Sequence, residues 1–388
     1  MSVTLDSLWK CRRPESVVEV VIVVNSSESD TQAVINQNLK TIDEFKTWKT
    51  SHTDPALKFH LINVSNLPEK HAGAGLARKT GMDFAVLRFN SIARENGIII
   101  SLDADCTCDD NYLVEIESAF AKNEKADCAI LYFEHPVSGD EFSPGIYAGI
   151  IQYELHLRYH IESLRYIKYP YAFHTLGSCF AVKANAYVRQ GGMSRKKAGE
   201  DFYFLQKIFT SGNTIEINRT KVHPSPRPSL RVPFGTGPVI YKMWSLNHQV
   251  LKTYAPKAYL DLGSFLEVIP QLYGIQENAW HSVISKLPDS VREFLLARNV
   301  KSKIDEVNGN TGNRKAFIKR FYNWFNGLMV VKYLNSSHAK HYAEIPAEEA
   351  AGILLQNKGL KAEHGKGMSE LLKIYRTIQQ CQNYTIPL

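Results

Sequence analysis

Val17–Val24 (VVEVVIVV) is nearly continuous in β-branched residues, the pattern of a strand covered on both faces inside a parallel sheet. It predicts a central strand. Asn25, Ser26, Ser27 and Ser29 follow as turn and N-cap residues, and Val34, Ile35, Leu39, Ile42 and Phe45 then recur at helical spacing across Thr31–Trp48. Further strands are expected at Leu57–Val64, Gly97–Cys106 (GIIISLDADC) and Cys128–Phe133, with helices opening near Gly75 and around Asn111–Phe120. Strands alternating with helices in this way indicate a mostly parallel α/β sheet flanked by helices, with its ligand site at the carboxyl ends of the strands.

The pattern continues with a helix over Ile146–Arg165, a strand at Thr175–Val182, a short helix over Lys183–Arg189, and a turn at Gly191–Gly192. A helix opens at Glu200 and a strand covers Thr214–Val222. Beyond about residue 240 the strand signals fade and the chain reads as all-helical, with segments near 241–253, 262–272, 289–299, 313–334, 346–356 and 368–382. The 388 residues are enough for two or three domains of roughly 150 residues each. The expected division is 1–238, with halves at about 17–135 and 136–238, and a helical domain over 239–388.

Lys and Arg number 46 against 39 Asp and Glu, a formal charge of +7. That excess suits a polyanionic small molecule or an anionic membrane surface as well as nucleic acid. No helix-turn-helix, zinc-finger or RNA-binding signature accompanies it, so nucleic acid is not expected. The six cysteines are scattered without a CxxC pair, which points to neither a zinc site nor a disulfide framework and fits a reducing compartment. The N-terminal MSVTLDSLWKCRRPES lacks a signal-type apolar core, and no window of about 18 apolar residues occurs. A cytoplasmic protein is expected, with peripheral contact at the inner membrane face as an option.

Four segments carry chemistry. Alternate residues of a strand project to one side, so Asp103 and Asp105 are expected about 6–7 Å apart at a strand end, where hard oxygens suit Mg²⁺ or Mn²⁺; the plain reading is a polar loop capping the next helix. Gly73–Gly81 (GAGLARKTG) is a small-residue helix start carrying Arg78 and Lys79, which could face an anion or be solvated. It is neither a GxGxxG nor a Walker A segment. Glu200 and Asp201 lie in the first turn of a helix, where the dipole favours ionised carboxylates; they suit either a general base or simple capping. His223, Arg227 and Arg231 share a Pro-interrupted loop after a strand, and could hold a metal and phosphates.

Taken in order, these segments resemble family 2 glycosyltransferases of the GT-A fold. The matching residues are Gly75, Ala77, Arg78 and Gly81; Asp103 and Asp105; Gly177 and Ser178; Gly191 and Gly192; and Glu200 with Asp201. The likeness covers roughly residues 17–235. It implies a nucleotide-sugar half followed by an acceptor half, and metal-dependent, inverting transfer of a sugar, of the hexosyltransferase type, from a UDP- or GDP-sugar to an acceptor hydroxyl. By that resemblance Asp103 lies toward the sugar nucleotide, Asp105 holds Mn²⁺ or Mg²⁺ with His223 as a further ligand, and Asp201, beside Glu200, is the catalytic base. Arg78, Gly177, Ser178, Arg227 and Arg231 fall on the donor side, and Asn25 ends the strand from which the family contacts the base. The first strand runs into Asn25-Ser26-Ser27-Glu28 where the family has a Pro-x-Tyr-Asn-Glu type segment, and the second ends in Asn63-Val64-Ser65-Asn66 where it has Asp-Asp-Gly-Ser. The nucleotide is therefore left open.

Two other functions fit parts of the sequence: a non-catalytic GT-A-like module that binds a sugar nucleotide or a partner, and a phosphatase, since DADCT satisfies a DxDxT motif. In the helical part, Phe317, Phe321, Trp324, Phe325, Leu328 and Val331 form an apolar stripe beside Arg314, Lys315, Lys319 and Arg320. Such a helix either packs in a core or lies on an anionic bilayer near cell-envelope or lipid-linked acceptors.

Overall fold

The computed structural model describes every residue except Phe234, 247–249, 361–366, Asn383 and 385–388. It divides into two compact units. The first comprises Met1–Tyr147, Thr175–Lys242 and Gln379–Tyr384, the second Ala148–His174 and Met243–Ile378.

In the first unit, α1 (Ser2–Lys10) precedes β1 (Val18–Ser27), α2 (Gln32–Thr50), β2 (Leu57–Leu67) and α3 (Ala74–Ser91). β1 and β2 pair in parallel, Val18 opposite Leu57 through Asn25 opposite Val64. Next come β3 (Ile98–Ser101), β4 (Thr107–Cys108), α4 (Tyr112–Lys122) and β5 (Ala126–Phe133). After α5 (Pro144–Tyr166), which belongs to the second unit from Ala148 on, come β6 (Phe180–Lys183), α6 (Ala184–Arg189), α7 (Glu200–Ser211), β7 (Asn213–His223) and α8 (Thr236–Ser245), which passes into the second unit at Met243. Five strands form one sheet in the order β3-β6-β5-β7-β4.

The sequence pattern misplaces the centre of this unit. β1 is only partly covered over Val18–Val23 and, among the described residues, is hydrogen-bonded to β2 alone. The central strand is β5, which is bonded on both sides and whose last six residues are all buried, as is expected where both faces are covered. The sheet is also mixed rather than mostly parallel. β6 runs antiparallel to β3 and to β5, β4 runs antiparallel to β7, and only β5 and β7 run together. Alternating strands and helices give the order of elements, whereas direction depends on how each connection returns. β6 is also shorter than expected, leaving Gly177 and Ser178 in the turn before it.

The second unit is helical. α9 (Pro256–Val268), α10 (Glu277–Ile284), α11 (Asp289–Ala297), α12 (Val300–Gly309), α13 (Arg314–Trp324), α14 (Gly327–Lys340), α15 (Ala347–Asn357) and α16 (Met368–Cys381) follow one another, with a two-residue ladder between Lys252–Thr253 and Ile345–Pro346. The continuous helix expected at 313–334 is two helices, because the Asn326 side chain accepts from the Leu328 N–H at 3.0 Å and caps a new start. Part of the apolar stripe lies in the core, while Trp324, Leu328 and Val331 are half-buried. Phe317, Phe321 and Phe325 are fully buried, and Phe321 and Phe325 pack on Phe265 with ring centroids 6.1 and 5.5 Å away. Phe321→Ala is accordingly expected to cost about 3–5 kcal/mol, measured by chemical denaturation as a lower midpoint. No helix among the described residues is long and apolar enough to cross a membrane.

Candidate active site

Three sequence motifs meet on one guanidinium. Arg78, in the second turn of α3, has a side chain only 10% exposed. Its Nη2 donates to Asp103 Oδ1 at 2.5 Å, its Nη1 donates to Glu200 Oε1, and its Nε donates to Ser101 Oγ at 3.1 Å. Ser101, at the end of β3, passes the connection on by donating its hydroxyl proton to the Gly177 carbonyl at 2.6 Å. The helix start, the acidic turn, the turn before β6 and the start of α7 are thereby tied together.

Two glycines let these segments approach so closely. A Cβ on Gly177 would stand 2.6 Å from Arg78 Nη2 and 2.9 Å from Asp201 Oδ2, and one on Gly75 would stand 2.0 Å from the Lys196 carbonyl oxygen. Any side chain at either place would force those groups apart. Asp201 therefore borders the same pocket as Arg78, and its Oδ1 accepts from the Phe202 N–H at 2.7 Å.

The acidic pair is not arranged as strand alternation predicts. β3 ends at Ser101, and Asp103 to Cys106 form a turn closed by the Cys106 N–H on the Asp103 carbonyl at 3.0 Å. The pleat is lost there, so the two carboxylates go to different partners. Asp103 meets Arg78, while Asp105 Oδ2 accepts from Arg227 Nη2 at 2.8 Å in an exposed pair. His223 meets neither. Its Nε2 lies 2.8 Å from Asp109 Oδ1 and its Nδ1 3.2 Å from the Glu134 carbonyl, so both ring nitrogens are already engaged. Arg231 is exposed on the loop with Arg227. Ser178 is buried, its Oγ 3.4 Å from Cys179 Sγ. Asn25 donates to the Gly73 carbonyl at 3.0 Å, which joins the end of β1 to the start of α3.

Burial and charge act together on the carboxylates. Glu200 is 4% exposed, and burial pushes its pKa up, Arg78 opposing this while Asp201 and Asp103 reinforce it. Burial likewise raises Asp201, against the pull of Arg78 and of the Phe202 N–H. Burial on its own would discharge Arg78, but Asp103, Glu200 and Asp201 outweigh it and hold the guanidinium ionised. One buried cation thus faces three acids.

Sequence reading did not single out Ser101 or Asp109. A lone serine ending an apolar strand and an aspartate at a helix entry give no motif, and their partners lie 76 and 114 residues away. Among the described residues, no three His, Cys, Asp or Glu side chains form a group that could hold a metal.

No protein-family model and no curated protein matches the chain. Among solved structures, the crystal structure of S. aureus TarS 1–349 is similar over 88% of this chain and 88% of that one, with 13% identity and a TM-score of 0.40. That likeness assigns no residue.

Proposed function

We propose that the first unit is a nucleotide-sugar-dependent glycosyltransferase of the hexosyltransferase type, transferring with inversion to an acceptor hydroxyl. The observation behind this reading is the buried Arg78, which draws the acidic turn and the Glu200-Asp201 helix start onto one pocket. Those are the segments that the resemblance assigns to donor and base. Asp201 takes the proton of the acceptor hydroxyl as its oxygen attacks the anomeric carbon, and the bond from that carbon to the nucleoside diphosphate breaks. Glu200, held by Arg78, positions the start of α7. Arg227, with Arg231 on the same loop, receives the charge of the departing diphosphate.

A divalent ion fits this site only in part. Asp105 is exposed and Asp103 half-exposed, so both can be reached, yet each carboxylate already holds an arginine, and among the described residues no group of three metal-ligating side chains includes them. Asp105 and Asp103 are the residues that would hold Mn²⁺ or Mg²⁺, and Arg227 would then face the diphosphate of the donor. When bound, the ion would offset negative charge on the leaving group. The donor is read as a UDP- or GDP-sugar and the acceptor as a cell-envelope or lipid-linked glycan.

Thermal melts with UDP-, GDP- and other sugar nucleotides, with and without Mn²⁺, test this reading together with hydrolysis assays. One sugar nucleotide with Mn²⁺ is expected to raise the melting midpoint, by about 2.7 kcal/mol of stabilisation at one hundred times its Kd, and to be slowly hydrolysed. Asp105→Asn removes the Mn²⁺-dependent part of both. Binding without turnover would favour the non-catalytic module, and no shift with any sugar nucleotide would sink the assignment.

A further inference from the structure

The N-terminal helix is fastened to the stretch that carries the acidic pair. Thr4 Oγ1 in α1 donates at 2.8 Å to the carbonyl of Ala104, the residue between Asp103 and Asp105. Ser7 Oγ lies 3.8 Å from Cys108 Sγ, and Cys11 Sγ lies 3.7 Å from that same sulfur. The Arg12 N–H donates to the Asp110 carbonyl at 2.7 Å. Cys108 sits in β4, directly opposite Val222, and its neighbour Thr107 is opposite His223. Residues 103–110 therefore bear both the acidic pair and these anchors to α1.

We propose that Cys11 and Cys108 are a redox modification site, at which a small peroxide converts the two thiols to a disulfide that pins the end of α1 to β4, the strand that follows the acidic turn. The two sulfurs are already in contact, and side-chain rotation with a small backbone shift would bring them to the roughly 2.05 Å of a bond. Among the other thiols, Cys106 Sγ is 3.9 Å from Asp105 Oδ1 and feels the charge of Cys179, Cys179 Sγ is 3.4 Å from Ser178 Oγ, Cys128 Sγ is 3.9 Å from the Ala129 carbonyl, and Cys381 is exposed.

The two sulfurs are not equivalent. The contact with Cys108 lowers the Cys11 pKa against the effect of burial, with Arg13 assisting, while Cys108 is raised; the Cys11 thiol also reaches the Ser7 and Asp109 carbonyls at 3.4 and 3.6 Å. Cys11 is the attacking sulfur. Its thiolate bonds to one peroxide oxygen as the O–O bond breaks, and the departing hydroxide takes up a proton to become water. Cys108 sulfur then attacks the Cys11 sulfenic sulfur; the S–S bond forms, the S–O bond breaks, and a second water leaves with the Cys108 proton. The two thiols lose two electrons and the peroxide gains them. Cys11 is 2% and Cys108 9% exposed, so access depends on α1 loosening. A helix of nine residues is too short to persist alone in water, and it can open locally without global unfolding.

The pair's chemistry does not depend on the activity proposed above. The test uses the full chain carrying Cys381→Ser, reduced, freed of reductant and treated with hydrogen peroxide, with the remaining thiols then alkylated. The expected result is the loss of two alkylatable thiols and of two hydrogens in mass, a peptide linking Cys11 to Cys108, and a melting midpoint raised by about 5 °C or more that dithiothreitol reverses. Cys11→Ser and Cys108→Ala should each abolish the loss of the thiol pair. If a variant does not fold, the linked peptide from the parent chain decides. Oxygen gain without loss of two thiols, a link between other cysteines, or an unchanged thiol loss in Cys11→Ser would overturn the proposal.

Discussion

Asp201→Asn is expected to lower turnover about 10³-fold and to leave the melting midpoint unchanged or higher. The two readouts move differently because Asp201 has two roles. As the base it must accept a proton, which an amide cannot do. As a member of the pocket it adds a third acid around a single buried cation, so removing its charge relieves repulsion on Glu200, and the amide oxygen can still accept the Phe202 N–H. The acidic limb of the kcat/KM profile of the parent chain should lie above the ordinary carboxylate range. Burial raises the Asp201 pKa, and the rate falls as pH drops through that raised value. The stability linkage has the opposite sense. A carboxylate with a raised folded-state pKa contributes stability below its unfolded pKa and loses it as pH rises through the folded one, so Asp201→Asn should flatten the decline of stability between the unfolded pKa and the raised folded one. A sharp fall in melting midpoint with an unshifted activity limb would make Asp201 a structural residue.

What could be read in the sequence follows from how local each signal is. The opening of α7 at Glu200-Asp201 was legible because capping and helical periodicity act within a few residues. The α/β character and the helical remainder were legible for the same reason. The assignment of β1 as the central strand was not reliable, because a β-branched run reports covered faces and not which edges are bonded. The direction of β6 is decided by the connection through α5. The break at Asn326 had a local signature in Asn326-Gly327, outweighed by the apolar stripe that crosses it. In the site, the residue types were visible but their partners were not. Nothing near Arg78 announces that it meets Glu200, 122 positions away, and nothing near His223 announces Asp109.

The motif segments also depend on one another in a way that no single motif conveys. Gly177 has no side chain where Arg78 and Asp201 converge, Gly75 where Lys196 passes, and Ser101 accepts from Arg78 while donating to the Gly177 carbonyl. A pocket built by mutual exclusion of side chains tolerates little change at its small residues, although none of them carries charge.

Arg78→Met should be the most damaging substitution for the first unit, costing about 3–5 kcal/mol. The guanidinium is 10% exposed and bonds Asp103, Glu200 and Ser101. A thioether of similar length fills much of its volume but leaves the Glu200 carboxylate buried without its cation. Glu200, already raised by burial, then rises further, because the largest interaction pulling it down has gone. The loss should therefore grow with pH: mild where Glu200 is protonated, and full once pH has passed its new folded pKa. Arg78→Met combined with Glu200→Gln should recover a substantial part of the loss at neutral pH, since the second change removes the stranded charge, and the two effects should be clearly non-additive. Melting curves of the two single variants and the double variant at pH 5 and pH 8 measure this directly. If the loss were independent of pH, and the double variant no more stable than Arg78→Met alone, Arg78 would be acting through packing and not as the cation of the acidic pocket.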